Sequence, residues 1–137
     1  MKHLAKVLTI ALVAGMFSTV ALAKTAVENE ISTAIDHAEF SVKANKVETI
    51  HLHLHHVVNC LVGEKGKQFD AAAGDPCKGM GDGAINDAQS TALKTRLESI
   101  LAVAERGLNE KEFTRAHKTA SLVKRMLKRT MARMEKP

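Results

Sequence analysis

Six histidines follow residue 23, and four of them fall within His51-Leu52-His53-Leu54-His55-His56. Neutral imidazole is a ligand for Cu(II), Ni(II) and Zn(II), so this segment is the first place to look for chemistry. At about 100° per residue a helix splits it into two stripes: Glu48, His51, His55 and Asn59 on one, Thr49, His53, His56 and Cys60 on the other. The i,i+4 pair His51 and His55 can point two rings at one ion, and the i,i+3 pair His53 and His56 can do the same. His37 and His117 extend the set. His37 lies eight residues before Asn45, His53 eight after it, and His117 eight after Asn109. If Asn45 and Asn109 mark two turns at one end of a helical bundle, these three histidines share a level roughly 12 Å below it.

Other chemistry is less well supported. No H-E-x-x-H is present and no carboxylate is placed as a general base, so an enzyme is not expected. Met126, Met131 and Met134 recur at helical spacing and are read as core; thioether ligation would favour Cu(I). Asp70, Asp75 and Asp82 lack the spacing of a calcium loop. The basic run from Arg115 to Lys136, with Lys124, Arg125, Lys128, Arg129 and Arg133 inside it, could attract phosphate. It spreads around a helix with no aromatic residue interleaved, so it reads as a solvated face and not as a nucleic-acid surface.

The elements that position the histidines must be helices. Of the 137 residues, Met1 to Ala23 read as a cleaved signal peptide: Lys2 and Lys6, an apolar run from Leu8 to Val20, and Ala21-Leu22-Ala23 as the cleavage signal. Residues 24–137 are then one exported domain of net charge +3, with no stable membrane anchor and a periplasmic location. Period-two alternation is absent. Four apolar stripes at helical spacing predict an all-α, up-down-up-down four-helix bundle. The first runs through Val27, Ile31, Ala34, Ile35, Ala38 and Val42, opened by a Thr25-x-x-Glu28 capping box. The second, from an Asn45 cap, buries Val47, Ile50, Leu54, Val57, Val58 and Leu61. A third follows Asn86, buries Leu93, Leu97, Ile100, Leu101, Ala104 and Leu108, and ends at Gly107. The fourth, capped by Asn109, buries Phe113, Ala116, Ala120, Val123, Leu127, Met131 and Met134.

Between the two hairpins, Gly63 to Gly83 holds six glycines and Pro76, a composition that cannot continue a helix. In an oxidising compartment Cys60 and Cys77 are expected to form a disulfide that tethers this loop and contributes about 3 kcal/mol through the unfolded chain. The tether would pull Phe69 and Ala71 to Ala73 across Phe40 and Leu52, which otherwise face outward. It would partly cover His53 and His56, leaving His51 and His55 more accessible.

Ala34-Ile35-Asp36-His37-Ala38, the Asn45 turn and the His51 to His56 return helix resemble the small metal-binding proteins of the bacterial periplasm. The resemblance lies mainly in the first hairpin and implies a helical bundle that binds several divalent ions, copper among them, with modest affinity. It points to sequestration, buffering or delivery of Cu, Ni or Zn. Two readings compete with it. One is an electron carrier holding haem b between His117 or His51 and a methionine; covalent haem is excluded in its usual form because C-x-x-C-H is absent. The other is a metal-free interaction protein, or a homo-oligomer, that uses the Phe40 and Leu52 face.

Overall fold

The computed structural model describes residues 24–136 and is all-helical over them; the expected signal peptide, residues 1–23, lies outside the described residues. Four helices follow in order: α1 (Ala26–Lys43), α2 (Val47–Val62), α3 (Thr91–Leu108) and α4 (Phe113–Met134). They form a ring in which α1 packs on α2 and α4, and α3 on the same two. Contacts equidistant from the turns fix the directions. His37 meets His53 and Ser41 Oγ donates to Ile50 O across α1 and α2, while Val42 O meets His117 across α1 and α4. Neighbours are therefore antiparallel, and both hairpin turns lie at one end. No described helix is long and apolar enough to cross a membrane.

The buried stripes are those that helical periodicity demands: Val27, Ile31, Ala34 and Ala38 on α1; Ile50, Leu54, Val57, Val58 and Leu61 on α2; Leu93, Leu97, Ile100 and Ala104 on α3; Ala116, Ala120, Val123 and Leu127 on α4. Met126, Met131 and Met134 are half-buried against this core. Thr25 opens α1 with the predicted capping box: its Oγ1 accepts from Glu28 N while Glu28 Oε2 accepts from Thr25 N at 2.7 Å.

The other ends correct the sequence reading. Lys46, not Asn45, is the N-cap of α2, with no side-chain cap. The third helix starts later than directly after Asn86: Ser90 caps α3 through Leu93 N, and Asn86 bonds the Asp82 carbonyl within the loop. Asn109 belongs to the end of α3, where its amide donates to Glu105 O; α4 starts four residues later behind Glu112. Phe113, the first residue of α4 and expected in its buried stripe, is exposed. Gly107 does not end α3 but lies inside it, where a Cβ would press on Leu54 Cδ1 at 2.8 Å and on Thr119. Its lack of a side chain lets α2, α3 and α4 approach.

Cys60 and Cys77 form the expected disulfide, with Cα atoms 5.2 Å apart. The loop leaves and rejoins α2 at a neck where Ala84 N and Ile85 N donate to Cys60 O and Leu61 O, both at 3.0 Å. Gly63 and Gly83 sit face to face there, with φ of 69° and 100°; a Cβ on either would overlap the other strand of the neck.

Candidate metal centre

His37 projects from the α2-facing flank of α1, and His53 and His56 from the flank of α2 that faces it. All three are half-buried. His37 Nδ1 lies 3.3 Å from His53 Nδ1 and 3.0 Å from His56 Nδ1. The rings of His37 and His56 meet edge to face at a centroid distance of 4.5 Å, so the nitrogens approach without the rings stacking. The three side chains form a set that can hold a metal ion.

The protons explain why. His56 Nε2 lies 2.7 Å from Ala73 O. A carbonyl only accepts, so Nε2 carries the proton and the neutral ring presents a lone pair at Nδ1. That lone pair faces His37 Nδ1. A proton on His37 Nδ1 would satisfy it, but the same proton would have to be shared with His53 Nδ1 on the other side. Three Nδ1 atoms thus converge where one proton cannot bond them all, whereas a cation can accept all three lone pairs. The two separations from His37, 3.0 and 3.3 Å, suit this, and all three ligand atoms lie within 4.8 Å of one another. Imidazole nitrogens about 2.0–2.1 Å from a tetrahedral zinc ion lie about 3.4 Å from one another.

Electrostatics keep the rings in their ligating form. Burial, then the neighbouring His56 and His53, push the His37 pKa down to about 4. Burial, and next His56, lower that of His53 as well. A metal ion entering at neutral pH therefore displaces no proton from either of these two rings' charged forms.

The loop supplies the outer layer. Ala73 O is held in place by Asn59, a buried amide one turn beyond His56. Its Nδ2 donates to Asp70 O at 2.8 Å and to Gly74 O at 2.7 Å, and its Oδ1 accepts from Asp70 N at 2.8 Å. A carbonyl that fixes a ligand's tautomer and orientation is a recurrent device of metal sites. Asp70 and Asp75 are turn-formers: Asp70 Oδ1 accepts from Ala72 N, and Asp75 Oδ1 from Cys77 N.

The remaining sequence candidates go elsewhere. His51 Nε2 donates to Glu110 O at 2.9 Å, in the α3–α4 turn. His55 Nδ1 lies 3.3 Å from Asp70 Oδ2, outside hydrogen-bond geometry. The pair expected to share an ion is thus divided between two partners; like His53 and His56, both rings are half-buried. His117 Nε2 donates to Val42 O at 2.9 Å. It misses the His37 level because α4 begins at Phe113, which places His117 only one turn from its helix start. The Nε2 atoms of His51 and His117, each a proposed haem ligand, are therefore both engaged by carbonyls.

The loop does cross toward His56, but it leaves Phe40 and Leu52 exposed, at 46% and 43%. Phe40 borders the cluster, its ring centroid 5.4 Å from that of His53. Two features gave less warning in the sequence. Asn59 is a polar residue inside the apolar end of α2. Glu30 falls on the buried stripe of α1 between Val27 and Ile31, is 1% exposed and accepts from Gly83 N through Oε1. Its Oε2 has no partner. Burial, opposed by the Gly83 bond and reinforced by Asp87, raises its pKa to about 7.

Comparison with protein-family models, with curated proteins and with solved structures found no match.

Proposed function

We propose that this protein sequesters, buffers or delivers a divalent transition-metal ion, Cu(II), Ni(II) or Zn(II), bound by His37, His53 and His56. The observation that carries this reading is the meeting of three Nδ1 atoms, His37 at 3.0 and 3.3 Å from its partners, with the His56 proton committed to Ala73 O. Three protein nitrogens leave a four-coordinate ion one position for exchange, which suits a protein that takes up and gives away its metal. Nitrogen donors of this kind fit all three ions.

Export to the periplasm, after cleavage behind Ala23, is part of the same proposal. Its supports are the leader-like residues 1–23 and the Cys60–Cys77 disulfide, which belongs to an oxidising compartment. A role in binding and not in catalysis is part of the same proposal.

The test is titration of residues 24–137 with each ion, using the protein as isolated, then with His37, His53 and His56 replaced by Ala, and separately with His51 and His55 replaced by Ala. Saturable binding lost in the first variant and kept in the second supports the proposal. Equal affinity in the unaltered protein and the triple variant refutes it. An absorption spectrum taken with added haem separates the rival: an intense Soret band in the presence of haem, with no metal binding, favours the electron carrier.

A further inference from the structure

A second constellation lies on the other side of the bundle, in the groove between α3 and α4. Arg96, Ile100, Met126, Arg129, Thr130 and Arg133 border a cavity of about 220 Å³ there. Helical spacing assembles it: Arg96 and Ile100 are i,i+4 on α3, and Met126, Arg129, Thr130 and Arg133 are i, i+3, i+4 and i+7 on α4. Because the helices run antiparallel, the start of α3 meets the end of α4, and three guanidinium groups that the sequence scatters around a basic helix share one groove.

All three arginines are exposed, and three properties mark the groove that they border. No carboxylate lines it, and among the described residues none of the three arginines makes an ion pair, whereas Arg115, Lys43, Lys65 and Lys128 all do. The floor is largely apolar and tightly packed, with Ile100 1% and Thr130 4% exposed and Met126 half-buried. Thr130 Oγ1 spends its proton on Met126 O, and Ser99 Oγ, also on the lining, spends its own on Thr95 O, which leaves the guanidinium N–H groups as the side-chain donors. Three like charges around one groove repel one another, and an anion bound among them offsets that repulsion. Guanidinium forks match the oxygens of phosphate in geometry and charge.

We propose that the α3–α4 groove binds a phosphate monoester: the three phosphoryl oxygens face Arg96, Arg129 and Arg133, and a small apolar group on the ester oxygen rests on Ile100 and Met126. A free phosphate ester and the headgroup of an anionic lipid present the same chemistry. The site shares no residue with the histidine cluster, so either can stand without the other.

Phenyl phosphate, inorganic phosphate and benzoate are titrated into residues 24–137 at low ionic strength and followed by methyl NMR. Sedimentation with phosphatidylcholine vesicles, with and without phosphatidic acid, tests the lipid source. Phenyl phosphate should bind more tightly than either smaller probe, shift the methyls of Ile100, Met126 and Thr130, and lose at least about tenfold in affinity in the R96Q/R129Q/R133Q variant. Vesicle binding that needs phosphatidic acid and the same arginines, without soluble-probe binding, supports the site with a lipid headgroup as its source. Benzoate binding as tightly as phenyl phosphate, shifts confined to other methyls, undiminished binding in the triple variant, or no binding by any probe or vesicle would each overturn the proposal. The methyl map of the unaltered protein decides the matter even if the triple variant does not fold.

Discussion

Helix α2 carries two histidine pairs on adjacent stripes, and they have opposite fates. His53 and His56 turn toward α1, meet His37 and bring three Nδ1 atoms together. His51 and His55 look the better pair by spacing, at i,i+4, yet one ring is drawn to Glu110 O and the other to Asp70. The difference lies in what surrounds them. Where an outer carbonyl takes the far nitrogen of a ring and a second helix supplies another imidazole, lone pairs converge. Where the neighbours are separate acceptors, the rings diverge. Histidine density in a sequence marks a neighbourhood, and the partners of the second nitrogen decide the site.

That contrast can be broken most severely by removing ligands. Replacing His37, His53 and His56 with Ala should lower Zn(II) affinity by at least about a hundredfold, more than an outer partner is worth, whereas the His51→Ala, His55→Ala double variant should stay within about threefold. Calorimetric titration of both variants checks it, and similar losses in the two would erase the distinction between the stripes.

Asn59 probes the outer layer. Its three hydrogen bonds hold the loop segment on either side of Ala73. Asn59→Ala should cost about 3 kcal/mol in urea unfolding of the metal-free protein, because buried loop groups lose their partners. It should also weaken metal binding about tenfold as the Ala73 carbonyl drifts from His56. Normal affinity in a destabilised variant would separate the loop's structural role from any part in the site.

Glu30 gives a pH signature two turns before His37 on the same face of α1. Its folded pKa of about 7 exceeds the ordinary 4.5. The folded state therefore binds the proton more tightly than the unfolded chain does. The resulting stabilisation is fully present below about pH 4.5 and is lost as pH rises through 7, a change on the order of 3 kcal/mol. Glu30→Gln keeps an acceptor for Gly83 N and should flatten this part of the profile, making the variant more stable than the parent at pH 8. Denaturation midpoints at pH 5 and pH 8 measure it. The smallest effect concerns the helix that carries His37: Thr25→Ala should cost about 1 kcal/mol through loss of the cap, with metal affinity unchanged.

Much of the architecture was readable from period alone, since apolar stripes such as Ile31, Ala34 and Ala38 or Val123 and Leu127 have no other way to be buried. Helix ends were harder. Asn45 and Asn109 have the right residue type for caps, but a cap is decided by local backbone geometry, and Lys46 and Glu112 occupy those positions without side-chain bonds. The misplaced start of α4 then carried His117 to the wrong level. His37 and His53 were placed together correctly because the α1–α2 turn is short enough for counting to work. The choice between stripes was not readable, because a helical wheel gives an angle but not the acceptor that captures Nε2 or Nδ1. For His56 that acceptor is a backbone carbonyl seventeen residues away, brought there by the disulfide and Asn59. The groove arginines were hidden for a related reason: Arg96 lies on a different helix from the basic run it joins.

The central claim is that Nδ1 of His37, His53 and His56 meets one ion. Long-range nitrogen–proton NMR correlation of the histidine rings, recorded on residues 24–137 with and without one equivalent of Zn(II), tests it directly. The account predicts that all three rings carry their proton at Nε2 in the loaded protein, with Nδ1 shifted by the metal, while His51 and His55 do not move. Zinc-dependent shifts centred on His51 and His55, or coordination through Nε2 of His56, would contradict it.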